Sequence, residues 1–107
     1  MAESNERKLP QQCEDIAQVR KEIDNIDLNI IRLLSERFGY VREVVKYKDG
    51  TAAGIEATDR RLAVIESRRR WAVEAGLDPD VIEHIYNTLI TYFIDEEKKI
   101  INYNSTK

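Results

Sequence analysis

The chain has 107 residues, enough for one domain with a modest core, and its 4 glycines and 2 prolines point to long elements rather than many turns. It carries 17 basic and 20 acidic residues for a net charge of -3, which argues against a nucleic-acid binder held by phosphate neutralisation, and no apolar run reaches the roughly 18 residues that span a bilayer. One histidine and one cysteine, Cys13, cannot build a zinc site of standard spacing or an internal disulfide.

With no apolar leader at the N-terminus and a lone cysteine, the expected setting is reducing and cytoplasmic. There is no Gly-rich phosphate loop and no nucleophile elbow. Any chemistry must therefore come from carboxylates, amides, lysine and arginine, and no metal or cofactor is expected.

Residues 1–12 are polar and aperiodic and are expected to form a flexible tail; the helical domain is expected over 13–102, with a short tail over 103–107. From Ile16 the apolar residues fall at Ile16, Val19, Ile23, Ile26, Ile30, Leu33, Phe38, Val41 and Val44 or Val45. These alternating intervals of three and four make a heptad-like stripe. They predict a helix from about Asp15 to Lys48, roughly 50 Å long. A compact domain of this size has a radius of gyration of only about 13 Å. Two shorter helices cannot cover such a stripe, so a partner chain is expected.

Asp49-Gly50-Thr51-Ala52-Ala53-Gly54 interrupts the pattern as a flexible connection, a candidate lid. A second helix is predicted from Thr58 to about Ala75, with Leu62, Ile65 and Ala72 inward and Gly76 just past its end. In Asp78-Pro79-Asp80, Asp78 suits a cap, Pro79 the first helical position and Asp80 the helix dipole. The third helix is predicted to run to about Asn102, burying Ile82, Ile85, Leu89 and Phe93. The fold class is all-α: three helices, the first very long.

Arg37 and Lys48 stand 11 residues apart on the first helix. On an ideal helix they differ by roughly 20° in direction and lie about 16 Å apart, so one small anion can sit between them. Arg20 is about 25 Å from Arg37 and serves the same site only from the antiparallel helix of a second chain. Spacing leaves open whether these cations form a site or a solvated surface. Glu97 falls in a stripe with Ile90, Phe93 or Ile94, and Ile101. There a carboxyl is costly to ionise, and as a neutral acid it can donate a hydrogen bond. If the stripe is displaced, Glu97 faces water beside Glu96, Lys98 and Lys99. Arg68-Arg69-Arg70, flanked by Glu66 and Glu74, reads as a solvated helix face, and Trp71, Tyr86 and Tyr92 as core or dimer contacts.

The stretch Val19-Arg20-Lys21-Glu22-Ile23-Asp24-Asn25-Ile26-Asp27 resembles the opening motif of the all-helical chorismate mutases. Arg37, Lys48, Asp59-Arg60 and Gly76-Leu77-Asp78 follow in the family's register, so the resemblance covers about residues 13–101. Within the family the likeness is greatest to the isochorismate pyruvate lyase branch, through Cys13, Ile26-Asp27-Leu28, Tyr40-Val41, Tyr47-Lys48 and Arg70-Trp71-Ala72. The resemblance implies an intertwined homodimer with sites built from both chains. It implies that Arg20 of the partner subunit and Arg37 hold the carboxylates of a small dicarboxylate substrate. Lys48 then binds a carboxylate and the ether oxygen, Arg60 lines the site, and Glu97 stands where many members carry glutamine.

Two positions depart from the family pattern. Glu97 replaces that glutamine, and Arg61 occupies the place of a glutamate that grips the chorismate hydroxyl in ordinary bacterial mutases. The leading expectation is rearrangement of chorismate to prephenate. The alternatives are cleavage of isochorismate to salicylate and pyruvate, a mutase acting on 4-amino-4-deoxychorismate, and a non-enzymatic helical dimerisation module.

Overall fold

The computed structural model describes residues 7–47 and 58–105, with side chains through 102. The described residues are helical apart from short connections, and no strand occurs among them. In chain order they form a 3-10 turn at Pro10–Gln12, helix α1 at Ile16–Val44, a 3-10 turn at Val45–Tyr47, helix α2 at Thr58–Glu74 and helix α3 at Pro79–Ser105. Among the described residues, no helix is long and apolar enough to cross a membrane. The Gly50–Gly54 loop lies outside them. The chain divides into two compact units between Gly39 and Tyr40, inside α1.

The first unit is the start of α1 and the segment leading into it. Asp15 caps the helix, its Oδ1 accepting the Gln18 backbone N–H at 2.9 Å. Gln18 answers by accepting the Glu14 N–H and the Lys8 ammonium, each at 3.0 Å. The stretch Arg7–Gln12, within the expected tail, is thereby tied to the first turns of α1, and the Lys8 N–H also reaches Glu22. The 29 residues of α1 make it about 44 Å long. None of its side chains is buried, and the predicted stripe is open: Ile23 is 50% and Leu33 61% exposed.

The second unit is organised by the α2–α3 hairpin, the main helix–helix packing among the described residues. The turn between the helices follows from three residues. Gly76 takes φ +80°, its N–H bonds to the Val73 carbonyl at 3.1 Å, and the Leu77 N–H reaches back to Ala72 at 2.8 Å. That pair of bonds is a Schellman ending, which needs a left-handed residue and favours glycine. Asp78 then caps α3 by accepting the Asp80 N–H at 2.8 Å, with Pro79 in the first helical position.

The core of the hairpin is small: Val64, Ala72 and Phe93 are buried. The stripe of α2 that faces α3 runs Arg61, Val64 and Ile65, Arg68, Ala72. Leu62, expected inward, is 63% exposed, because a helix face set by Val64 turns position 62 away. On α3, Phe93 is buried and Ile82 and Leu89 are half-buried, whereas Ile85 is exposed. Trp71 is 51% exposed and does not form core within the chain.

Candidate functional site

Arg20, Arg37, Arg60 and Glu97 take their positions from their helices. Arg20 is exposed and Arg37 half-buried, both on α1. One straight helix holds them about 25 Å apart, so a single chain does not bring them together on one small ligand. Lys48 lies outside the described residues. The α-helical ladder gives way to a 3-10 turn at Val45–Tyr47. Arg60 is exposed in the first turn of α2.

Glu97 is buried, at 4% exposure, and is the buried charged residue among the described ones. Spacing left two environments open for it, and the structure gives the buried one. Its stripe on α3 includes Phe93, also 4% exposed, and the half-buried Ile90 and Ile101. A carboxyl withdrawn this far from water is held most cheaply as the neutral acid or against a cation.

Two arginines set the register of the hairpin. Arg69 donates to Asp80 at 2.8 Å and to Glu83 at 2.7 Å. Arg61, eight residues earlier, reaches Thr91 at 3.0 Å, eight residues after Glu83. The helices are thus antiparallel. Extending that register places Arg60 near the level of Tyr92 and Glu97 about 8 Å farther along α3. The exposed cation and the buried carboxyl therefore stand at the same open end of the hairpin, away from the Gly76 turn.

The basic run is built differently from the solvated face expected of it. Arg69 carries the two ion pairs, and Arg68 lays its guanidinium over Trp71 at 4.7 Å and Tyr86 at 5.5 Å. Arg70 remains exposed. The pairing of Arg61 with α3 was also missed from sequence. The signal for both is cross-hairpin: once Gly76 is taken as the turn, Arg69 comes opposite Glu83 and Arg61 opposite Thr91.

The sequence profile of the family described as chorismate mutase type II matches residues 19–98. The chain is 38% identical to an isochorismate pyruvate lyase of Pseudomonas aeruginosa over 86% of this chain and 90% of that protein. It is 28% identical to a chorismate mutase of Methanocaldococcus jannaschii, over 74% of this chain and 80% of that one. Against a bifunctional chorismate mutase/prephenate dehydratase of Aquifex aeolicus it is 33% identical over 81% of its own length but only 25% of the longer protein.

Proposed function

Because the chain belongs to the type II chorismate mutase family, we propose that it is a pericyclic enzyme that cleaves isochorismate to salicylate and pyruvate. The observation that carries the reading is the buried carboxyl of Glu97 at the open end of the hairpin, on the helix that also positions Arg61. The likeness to a lyase along nine tenths of that protein supports the choice of substrate. So does Arg61, which has donors only and directs its Nε and Nη2 to Asn87 and Thr91. It offers no acceptor for a substrate hydroxyl.

The reaction needs no nucleophile. As the ether C–O bond breaks, the hydrogen on the hydroxyl-bearing ring carbon moves to the methylene end of the enolpyruvyl group. The ether oxygen leaves as the carbonyl of pyruvate, and the ring becomes aromatic. The protein's task is to hold a flexible dicarboxylate in its compact conformer and to stabilise charge on the ether oxygen. Arg37 and Arg20 of the partner subunit grip the carboxylates, where a planar fork binds two oxygens at once. Arg60 lines the pocket. Lys48 and protonated Glu97 donate to the ether oxygen. The open stripe of α1 supports the homodimer this requires, since an uncovered apolar face of that length calls for a second chain.

A second reading is rearrangement of chorismate to prephenate in the same pocket. The family profile and the likeness to the Methanocaldococcus jannaschii mutase favour it. The deciding experiment incubates the protein separately with isochorismate and chorismate, at acidic and neutral pH. Salicylate with equimolar pyruvate as the faster reaction supports the lyase. Fast prephenate without salicylate replaces it with the mutase.

A further inference from the structure

Among the described residues, the first turn of α2 is tied to α3 by hydrogen bonds from the Arg61 side chain. The Arg61 Nη2 donates to Thr91 Oγ1 at 3.0 Å and to the carbonyl and side-chain oxygens of Asn87 at 3.3 Å, while Nε reaches the same Asn87 Oδ1 at 3.4 Å. Asn87 and Thr91 are one helical turn apart on α3, so the guanidinium spans a turn of its neighbour. Apolar packing does not replace this contact. Leu62 points to solvent, and the first buried apolar residue of α2 is Val64. Two adjacent arginines also oppose the positive end of the helix dipole here. Arg61 is compensated by its acceptors, whereas Arg60 is exposed and makes no hydrogen bond or ion pair among the described residues.

We propose that Arg61 is a positioning residue: its fork clamps the first turn of α2 onto Asn87 and Thr91 and so fixes the direction in which Arg60 meets the substrate. Successive residues on a helix point about 100° apart. Fixing Arg61 against α3 therefore fixes the roll of the helix at Arg60. Contacts to two residues a turn apart also fix its axial register. A single-point cation such as lysine reproduces the charge but not the two-residue span. This inference rests on the proposed role of Arg60 as a substrate-binding cation.

The test is read in steady-state kinetics on isochorismate and chorismate. Arg61→Met and Arg61→Lys should raise KM several-fold with kcat within about twofold, the pattern for loss of uniform binding. Asn87→Ala combined with Thr91→Val should do the same while leaving Arg61 in place. In an Arg60→Met background, Arg61→Met should add little, because it acts through the residue already removed. A KM unchanged in Arg61→Met, or an effect that adds fully in the Arg60→Met background, overturns the proposal. If the unmodified protein turns over neither substrate, the functional reading has failed, and amide hydrogen exchange judges the clamp. Faster exchange in Arg61→Met at the amides of residues 62–65, which bond back to the carbonyls of that first turn, upholds it, and unchanged exchange there removes it.

Discussion

Arg69 donates to Oε1 of Glu83 at 2.7 Å, and the same nitrogen reaches Oδ1 of Asp80 at 2.8 Å, bridging α2 and the first turns of α3. These hydrogen bonds, to Asp80 first and Glu83 second, raise the Arg69 pKa above its ordinary value. A raised cation contributes stability that is complete below its unfolded pKa and lost only as pH climbs through the folded one. For Arg69 that window lies in strong alkali, so its own titration adds no pH dependence near neutrality. Arg69→Met should lower Tm in low salt, and the difference should shrink in high salt because the pairs are partly exposed and screened. An unchanged Tm in low salt would leave the turn held by its backbone bonds alone.

Gly76 gives a cleaner stability prediction. A Cβ added there meets nothing within 4 Å, so the cost of Gly76→Ala lies in its φ of +80° and not in a clash. A left-handed alanine costs roughly 1–2 kcal/mol. For a domain of this size that is a Tm drop of roughly 5–10 °C. Gly76→Asn should cost less, since asparagine tolerates this conformation. Thermal unfolding of the three proteins side by side checks the order glycine, asparagine, alanine.

The local parts of the fold were legible in the sequence because their causes are local. Asp78-Pro79 announced the α3 cap, Gly76 the turn, and the alternating stripe the long α1. What was not legible depended on how one helix rolls against another. Leu62 looked inward by spacing, yet Val64 sets the face. Arg69 looked like part of a solvated face, and Arg61 stood out only as a departure from the family pattern, until the hairpin register brought Glu83 and Thr91 opposite them. Glu97 stood between water and core in any one-helix reading, and its burial settled the choice.

The open stripe on α1 and the distance from Arg20 to Arg37 together predict a site shared between two chains. Arg20→Ala and Glu97→Ala should each be nearly inactive alone. Mixed and allowed to exchange subunits, they should recover about a quarter of normal turnover: half the dimers are mixed, and one site in each mixed dimer is whole. Recovery of nothing, with subunit exchange verified, would place Arg20 and Glu97 in the site of the same chain. Ile23→Asp should break the dimer in sedimentation and abolish turnover with it.

The Glu97 carboxyl gives the last prediction its sign. As a donor to the ether oxygen it works only when protonated, and its burial favours that form. Turnover should therefore be constant at acidic pH and fall as pH rises through the Glu97 ionisation. Glu97→Gln keeps a donor that does not titrate, so it should retain activity and flatten the profile. Glu97→Ala should lose about 100- to 1,000-fold in kcat, the usual cost of removing one charge-stabilising donor. A profile for the unmodified protein that stays level from mildly acidic to mildly alkaline pH would remove the proton from Glu97's role. A fully inactive Glu97→Gln would show that the residue does more than donate: its negative charge would then be needed, to hold Lys48 or Arg37 in place.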